Sequence, residues 1–208
     1  MIDLVLPETR LGFASALMEM HHDRKQVFVD RFGWHLPAKG SWLEVDQFDD
    51  DFAVYLLARS PEGRHQGSVR LLPSSRPHMM STLFSHLCPG GVPVGDDCWE
   101  ISRLVTSPAD AAGTLALKIH RLLAIALVEF ALDNGIKRYT LVAEPQRVPA
   151  LLSVGWPVIP LGLPTLAYGE QLQALQIDIH PGTLGSMRAR LRIERPVLRV
   201  LEAPRRAA

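Results

Sequence analysis

Two apolar runs, residues 52–59 (F-A-V-Y-L-L-A-R) and 66–72, flank the turn formers Pro61, Glu62 and Gly63 and predict an antiparallel hairpin. Residues 112–134 carry apolar side chains almost all round a helix (Leu115, Leu117, Ile119, Leu122, Leu123, Ile125, Leu127, Phe130), so the spacing predicts a long buried helix. Asn134 and Gly135 supply its stop. Residues 9–31 place Leu11, Ala14, Leu17 and Met18 on one helical side, and Arg24, Phe28 and Arg31 at i, i+4 and i+7 on another. Short strands are predicted at 2–6, 98–105, 138–143, 156–159 and 172–179. Residues 34–47 read as an acidic loop, 79–87 as a short helix or ordered loop, 146–154 as a helix broken by Pro149, and 183–192 as a final helix or turn. Strands interleaved with helices around a hairpin predict an α/β fold, a mixed sheet with helices on both faces. The pattern predicts one domain over residues 1–194 and a flexible tail over 195–208.

One predicted strand departs from simple packing. Within Trp99, Glu100, Ile101, Ser102, Arg103 and Leu104, a carboxylate, a hydroxyl and a guanidinium fall in four residues. Each costs free energy to desolvate unless it is paired. On strict alternation Glu100 and Ser102 share a face, and Arg103 joins them only if the strand is bulged or bent.

Composition narrows the function. The 208 residues hold as many Lys plus Arg as Asp plus Glu, so the net charge is zero and the basic footprint of bulk nucleic-acid binding is missing. The most apolar stretch, 122–132, contains Glu129 and is too short to span a bilayer, so no membrane partner is expected. Two cysteines, Cys88 and Cys98, make neither a disulfide framework nor a metal set and suit a reducing cytoplasm. No signal peptide is read at the start, and neither the histidines nor Asp49, Asp50 and Asp51 show metal-ligand spacing.

The candidate chemistry lies in three polar groups: Asp46 and Asp49, Arg70, and Glu100 with Ser102 and Arg103. Read from the residues alone, they fit a structural ion-pair network. The functional alternative is a carboxylate base, Glu100, with Arg70 or Arg103 holding an anionic substrate through a bidentate fork and Phe28, Trp34 or Trp42 stacking on a planar one.

Taken in order, Arg24, Phe28 and Trp34, the aspartates of E-V-D-Q-F-D, Arg70 in G-S-V-R-L-L, Phe84, and Glu100, Ser102 and Arg103 in E-x-S-R resemble the LuxI-type acyl-homoserine lactone (autoinducer) synthases. The resemblance runs from about residue 24 to about residue 160. It implies a GNAT-like α/β/α sandwich in which the amine of S-adenosylmethionine attacks an acyl thioester. The methionine carboxylate then closes on the γ-carbon, giving the lactone and methylthioadenosine. It also implies Glu100 as base, Arg70, Ser102 and Arg103 beside it, and Arg24, Phe28, Trp34, Asp46 and Asp49 around S-adenosylmethionine. The acyl pocket it implies holds Phe84, Trp99, Leu104, Val142 and Glu144. S-adenosylmethionine is a substrate, and neither a cofactor nor a metal is expected.

Two departures bear on the acyl donor, which is acyl-CoA or an acyl carrier protein. The positions that are basic in the family look like Ala150 and Ser153 here, which weakens steering of an acidic carrier. Glu144 stands where the family offers Thr or Ser, and 160–164 reads P-L-G-L-P, a combination similar to the sub-branch that uses acyl-CoA. Two alternatives remain: a GNAT-type N-acyltransferase with another amine acceptor, and an inactive binding module. Residues 106–113 lack the glycine pattern of a CoA pyrophosphate loop, which disfavours the first and leaves open how CoA would be held.

Overall fold

The computed structural model of the chain describes residues 1–34, 38–39 and 42–200. In chain order its strands are β1 (Ile2–Val5), β2 (Ala38–Lys39), β3 (Leu43–Glu44), β4 (Val54–Arg59), β5 (His65–Pro73), β6 (Cys98–Thr106), β7 (Arg138–Ala143), β8 (Val158–Pro160), β9 (Thr165–Ala167), β10 (Glu170–Asp178) and β11 (Leu198–Val200). The α-helices are α1 (Ala14–Arg24), α2 (Met79–Leu83), α3 (Gly113–Asp133), α4 (Val148–Ser153) and α5 (Thr183–Leu191). Where the pattern predicts one domain, the chain packs as two compact units. The first holds Met1–Arg70, Arg103–Leu123 and the residues from Val197 on; the second holds Leu71–Ser102 and Ala124–Pro196. They are not consecutive domains, because β5, β6 and α3 each contribute residues to both.

In the first unit β1 pairs in parallel with β11 (Ile2 opposite Leu198) and antiparallel with β4 (Ile2 opposite Ala58). The order continues through β5 to β6. The predicted tail is therefore corrected as far as Val200. Backbone pairing with β1 holds this strand, and so does Arg199, whose Nε donates to the buried Asp3 carboxylate at 2.5 Å. Arg59 donates to the same carboxylate at 2.6 Å. Residues 201–208 of that tail lie outside the described residues. β4 is buried along nearly its whole length, so its apolar run does not alternate, as in a strand covered on both faces.

The helix predicted over 9–31 is three segments: a 3₁₀ stretch Pro7–Phe13, then α1, then a π-helical stretch Lys25–Arg31. Each change of helix type resets the phase of the side chains. Ala16, Met20, Arg24 and Phe28 are buried at four-residue steps, whereas Leu11 and Met18, placed by a uniform helix on the apolar side, are exposed. The loop predicted over 34–47 contains the β2–β3 hairpin, with Ala38 opposite Glu44. Within that loop His35, Leu36, Pro37, Gly40 and Ser41 lie outside the described residues.

Gly67 on β5 is a close-approach position. A Cβ there would lie 2.6 Å from Ile119 Cγ2 and 3.1 Å from the Val105 carbonyl oxygen. Gly67→Ala is expected to destabilise the protein by about 1–3 kcal/mol through overpacking, read as a lower denaturant midpoint with an unchanged slope.

In the second unit β6 runs parallel to β7 (Glu100 opposite Thr140), β7 antiparallel to β10 (Val142 opposite Ala174), and β10 carries β8 and β9. Residues 124–131 of α3 are buried without a break, whereas Leu115 and Leu117 near its start are exposed. The strand predicted at 156–159 begins at Val158, with Trp156 buried just before it. β9, three residues long, is too short to show a period in the sequence. Among the described residues no helix is long and apolar enough to cross a membrane.

Candidate active site

Burial along β6 runs Cys98, Glu100, then shifts by one residue to Ile101, Arg103 and Val105. Arg103 has φ +53°, in the left-handed region that non-glycine residues rarely adopt. Holding it there costs about 1–3 kcal/mol. The break in alternation allows both Glu100 and Arg103 to be buried, which a regular strand with one covered face would not.

In the first unit Arg103 belongs to a buried cluster of three guanidiniums and three carboxylates. Arg24 grips Asp49 with both terminal nitrogens, at 2.8 and 3.0 Å, and also donates through Nε to Glu44. Arg70 grips Asp46 in the same bidentate manner at 2.6 and 3.0 Å, and its Nη1 is 2.8 Å from Asp49. Arg103 donates to Glu44 through Nε and Nη2, at 3.1 and 3.0 Å, and to Asp46 at 2.7 Å. Tyr55 donates its hydroxyl to Asp49 at 2.8 Å. The loop helps to hold the acids: the Asp46 N–H bonds Asp49, and the Phe48 N–H bonds Asp46.

The charges balance, and their mutual effects are large. Burial alone would push the Asp49 carboxyl up, but Arg24 and Arg70 overcome it and hold it well below the usual carboxylate range. Burial and the Asp49 charge push the Tyr55 hydroxyl up. Arg70 is pushed up despite burial, because Asp49 and Asp46 favour its cation. Arg103 goes the other way: burial lowers it, and Arg70 and Arg24 repel it while Glu44 and Asp46 attract it. It is the guanidinium in the cluster whose charge is least favoured by its surroundings.

Aromatic rings border the cluster. Phe28 and Trp34 stack with centroids 5.1 Å apart and planes 19° from parallel, and the Arg103 guanidinium lies 5.6 Å from the Phe28 ring centre. The predicted set Arg24, Phe28, Trp34, Asp46, Asp49, Arg70 and Arg103 is therefore gathered in one unit.

In the second unit Glu100 is buried and accepts the backbone N–H groups of Met79 and Met80, at 2.8 and 2.9 Å. Ser102 is half-buried beside it in sequence. Of the expected acyl-pocket residues, Phe84 and Val142 pack on one apolar cluster with Met80, Leu87, Leu172 and Ala174. Trp99 instead stands edge-on to Phe130, 5.6 Å between centroids. Leu104 belongs to the first unit and is exposed, lying between the buried Arg103 and Val105. Glu144 accepts from the exposed Gln146 and Arg147 side chains.

Two residues escaped the sequence reading. Glu44 is fully buried and bridges Arg24 to Arg103; its signal was present in E-V-D, where strand alternation puts Glu44 and Asp46 on one face. Thr140, opposite Glu100, has a fully buried hydroxyl with no hydrogen-bond partner among the described residues. Nothing in sequence distinguishes it from an ordinary strand threonine. Among the described residues no group of three His, Cys, Asp or Glu is arranged to hold a metal.

Comparison with known structures places the fold first. An N-acetyltransferase from Lactobacillus plantarum matches with a TM-score of 0.58 at 17% identity over 86% of this chain and 99% of that one, so the fold is GNAT-like, α/β with a mixed sheet. BjaI, a CoA-dependent acyl-homoserine lactone synthase solved with SAM and isopentyl-CoA, matches with a TM-score of 0.88 at 30% identity, covering 99% of this chain and 94% of its own. The isovaleryl-homoserine lactone synthase of Bradyrhizobium diazoefficiens is 34% identical over 92% of this chain and 85% of its length. An acyl-homoserine-lactone synthase of Ralstonia solanacearum is 32% identical over 88% of each. Residues 9–182 match the autoinducer synthase family model. The chain belongs to the autoinducer synthase family, and its activity is that of an acyltransferase making an acyl-homoserine lactone.

Proposed function

We propose that this protein acylates the amine of S-adenosylmethionine from an acyl-CoA and then closes the lactone. In the first step the ammonium gives one proton to Glu100, the amine nitrogen attacks and the C–N bond forms, and as the thioester C–S bond breaks a second proton passes from nitrogen to the leaving sulfur, releasing the CoA thiol. In the second the methionine carboxylate attacks the γ-carbon, the bond to the sulfonium breaks, and neutral methylthioadenosine leaves. Neither step changes an oxidation state, so the chemistry calls for no redox cofactor.

The observation that carries this reading is the neutral cluster of three guanidiniums and three carboxylates beside the Phe28–Trp34 stack. S-adenosylmethionine presents both signs of charge and a planar base. A balanced, preorganised cluster can meet the carboxylate with Arg103 or Arg70 and the cationic centres with the field of Asp46 and Asp49. Arg24 acts as a positioning residue here, holding Asp49 and Glu44 in place. Ser102 is a hydrogen-bonding group for substrate.

Support for acyl-CoA over a carrier protein comes from α4, whose sequence V-P-A-L-L-S offers no cation to an acidic partner. The CoA-dependent BjaI is the relevant likeness. A reaction drawing on S-adenosylmethionine and acyl thioesters, together with the free thiols of Cys88 and Cys98, supports a cytoplasmic setting.

Purified protein incubated with S-adenosylmethionine and a panel of acyl-CoA and acyl-carrier thioesters is expected to release methylthioadenosine and a lactone visible by mass spectrometry. Acyl transfer without methylthioadenosine would instead establish an N-acyltransferase with another acceptor, and neither product a binding module.

A further inference from the structure

We propose that Tyr55 is a positioning residue for the S-adenosylmethionine site and acts through Asp49. This rests on the synthase reading above and deepens it, to a side chain that prepares the site without touching substrate.

Within the first unit Tyr55 lies buried on β4, its hydroxyl 2.8 Å from Asp49 Oδ1. The same oxygen has Arg24 Nη1 and Arg70 Nη1 at 2.8 Å each. A carboxylate oxygen offers about two lone-pair sites, so three donors compete for it. The hydroxyl thereby limits how far either guanidinium can draw the carboxylate toward itself. On the other oxygen, Oδ2, Arg24 Nη2 and the Asp46 N–H donate at 3.0 and 2.9 Å. Of the donors to Asp49 among the described residues, Tyr55 is the one uncharged side chain. It gives the carboxylate direction and leaves the balance of three cations and three anions intact. Burial and the Asp49 charge keep its proton in place, so it remains a donor near neutral pH.

The ring is itself held by two neighbours. The Arg10 guanidinium lies 5.5 Å from the ring centre, and its Nη2 donates to the Ala53 carbonyl at 2.7 Å and to the Asp50 carbonyl. Arg10 thus ties the 3₁₀ stretch to the chain between Asp49 and Tyr55. On α1, His21 stands edge-on to the ring, 6.3 Å between centroids, with Nδ1 2.8 Å from the Glu44 carbonyl oxygen. A carbonyl only accepts, so Nδ1 carries the hydrogen. Burial, reinforced by the Arg24 charge and opposed by that of Asp49, lowers the His21 imidazole, which is neutral near pH 7 and adds no charge. Tyr55 therefore joins α1, the Glu44 strand and the loop of Asp46 and Asp49 at one ring. Packing alone would be served by phenylalanine. What the hydroxyl supplies is the orientation of Asp49, whose field meets the cationic centres of S-adenosylmethionine.

The test is steady-state kinetics of Tyr55→Phe, with S-adenosylmethionine and the acyl thioester that the wild type turns over fastest. Tyr139→Phe is the control, because it loses an equivalent buried bond: the Tyr139 hydroxyl donates to the Leu127 carbonyl at 2.9 Å in the second unit. Both variants are expected to melt at a lower temperature than the wild type. Only Tyr55→Phe should raise KM for S-adenosylmethionine, by about tenfold (about 1.4 kcal/mol), with kcat kept within about twofold and KM for the thioester unmoved. Arg10→Met, which releases the ring and keeps the hydroxyl, should raise the same KM less, and it carries the comparison if Tyr55→Phe does not fold. A KM for S-adenosylmethionine that is unmoved in the folded variant, or raised equally in Tyr139→Phe, overturns the positioning role alone and leaves Tyr55 as packing. A wild type that releases no methylthioadenosine with any thioester overturns the synthase reading, and the positioning role with it.

Discussion

Replacing Arg70 by methionine is expected to destabilise the protein by about 3–5 kcal/mol, the usual consequence of removing one partner from a buried ion pair. Arg70 is the cation that both Asp46 and Asp49 face, and all three are buried. Without it two carboxylates must share the remaining guanidiniums in a site closed to water. Chemical denaturation reads the effect. Lys25→Met is the contrast: its 2.8 Å pair with Asp30 is partly exposed, and its loss should cost less than about 1 kcal/mol. The Arg70 effect also depends on pH. Burial opposes the Asp49 charge, yet Arg24 and Arg70 hold its folded pKa below the unfolded value of about 3.9. A depressed carboxyl contributes stability that is present above the unfolded pKa and lost as pH falls below it. The difference between wild type and Arg70→Met should therefore be greatest near neutrality and shrink below about pH 4. A difference that stayed constant from pH 7 to pH 3 would mean that Asp49 ionisation is not what Arg70 supports.

Glu100→Gln is expected to lower kcat by about 10²–10⁴, the range for loss of a positioned general base. The substitution keeps the shape of the side chain and one of its two acceptors. It leaves either the Met79 or the Met80 N–H without its carboxylate partner, a cost of about 1–3 kcal/mol that thermal melting will register. Stability loss alone would not separate catalysis from helix anchoring, so the decisive readout is the pH profile. A base gives the wild type an acid limb in kcat that Glu100→Gln lacks. Full turnover in the variant, or an unchanged acid limb, would remove Glu100 from proton transfer and leave it as the anchor of α2.

The long helix, the hairpin and the strand at 138–143 were legible because each is a continuous apolar run, a local signal that tertiary packing did not override. Leu11 and Met18 were misplaced because a sequence read as one α-helix cannot show where 3₁₀ and π geometry begin. β9 and β11 were invisible because three residues carry no period and are strands only by virtue of their partners β10 and β1.

For the site the division is sharper. The sequence by itself supplied the inventory: three arginines, the acids of E-V-D-Q-F-D, and the polar strand 98–105 built around Glu100 and Arg103. Residue type and order along a chain persist whatever the fold does, and so they can be read early. Which guanidinium meets which carboxylate was decided only in three dimensions. The partners stand 20 residues apart for Arg24 and Glu44, and 59 apart for Arg103 and Glu44, and no periodicity reaches that far. Tertiary structure also promoted Glu44, drew Trp99 and Leu104 away from the expected acyl pocket, and set Arg103 at a positive φ. A left-handed arginine is unfavourable for any isolated strand. It persists here because the buried carboxylates of Glu44 and Asp46 bind its side chain once the fold has closed.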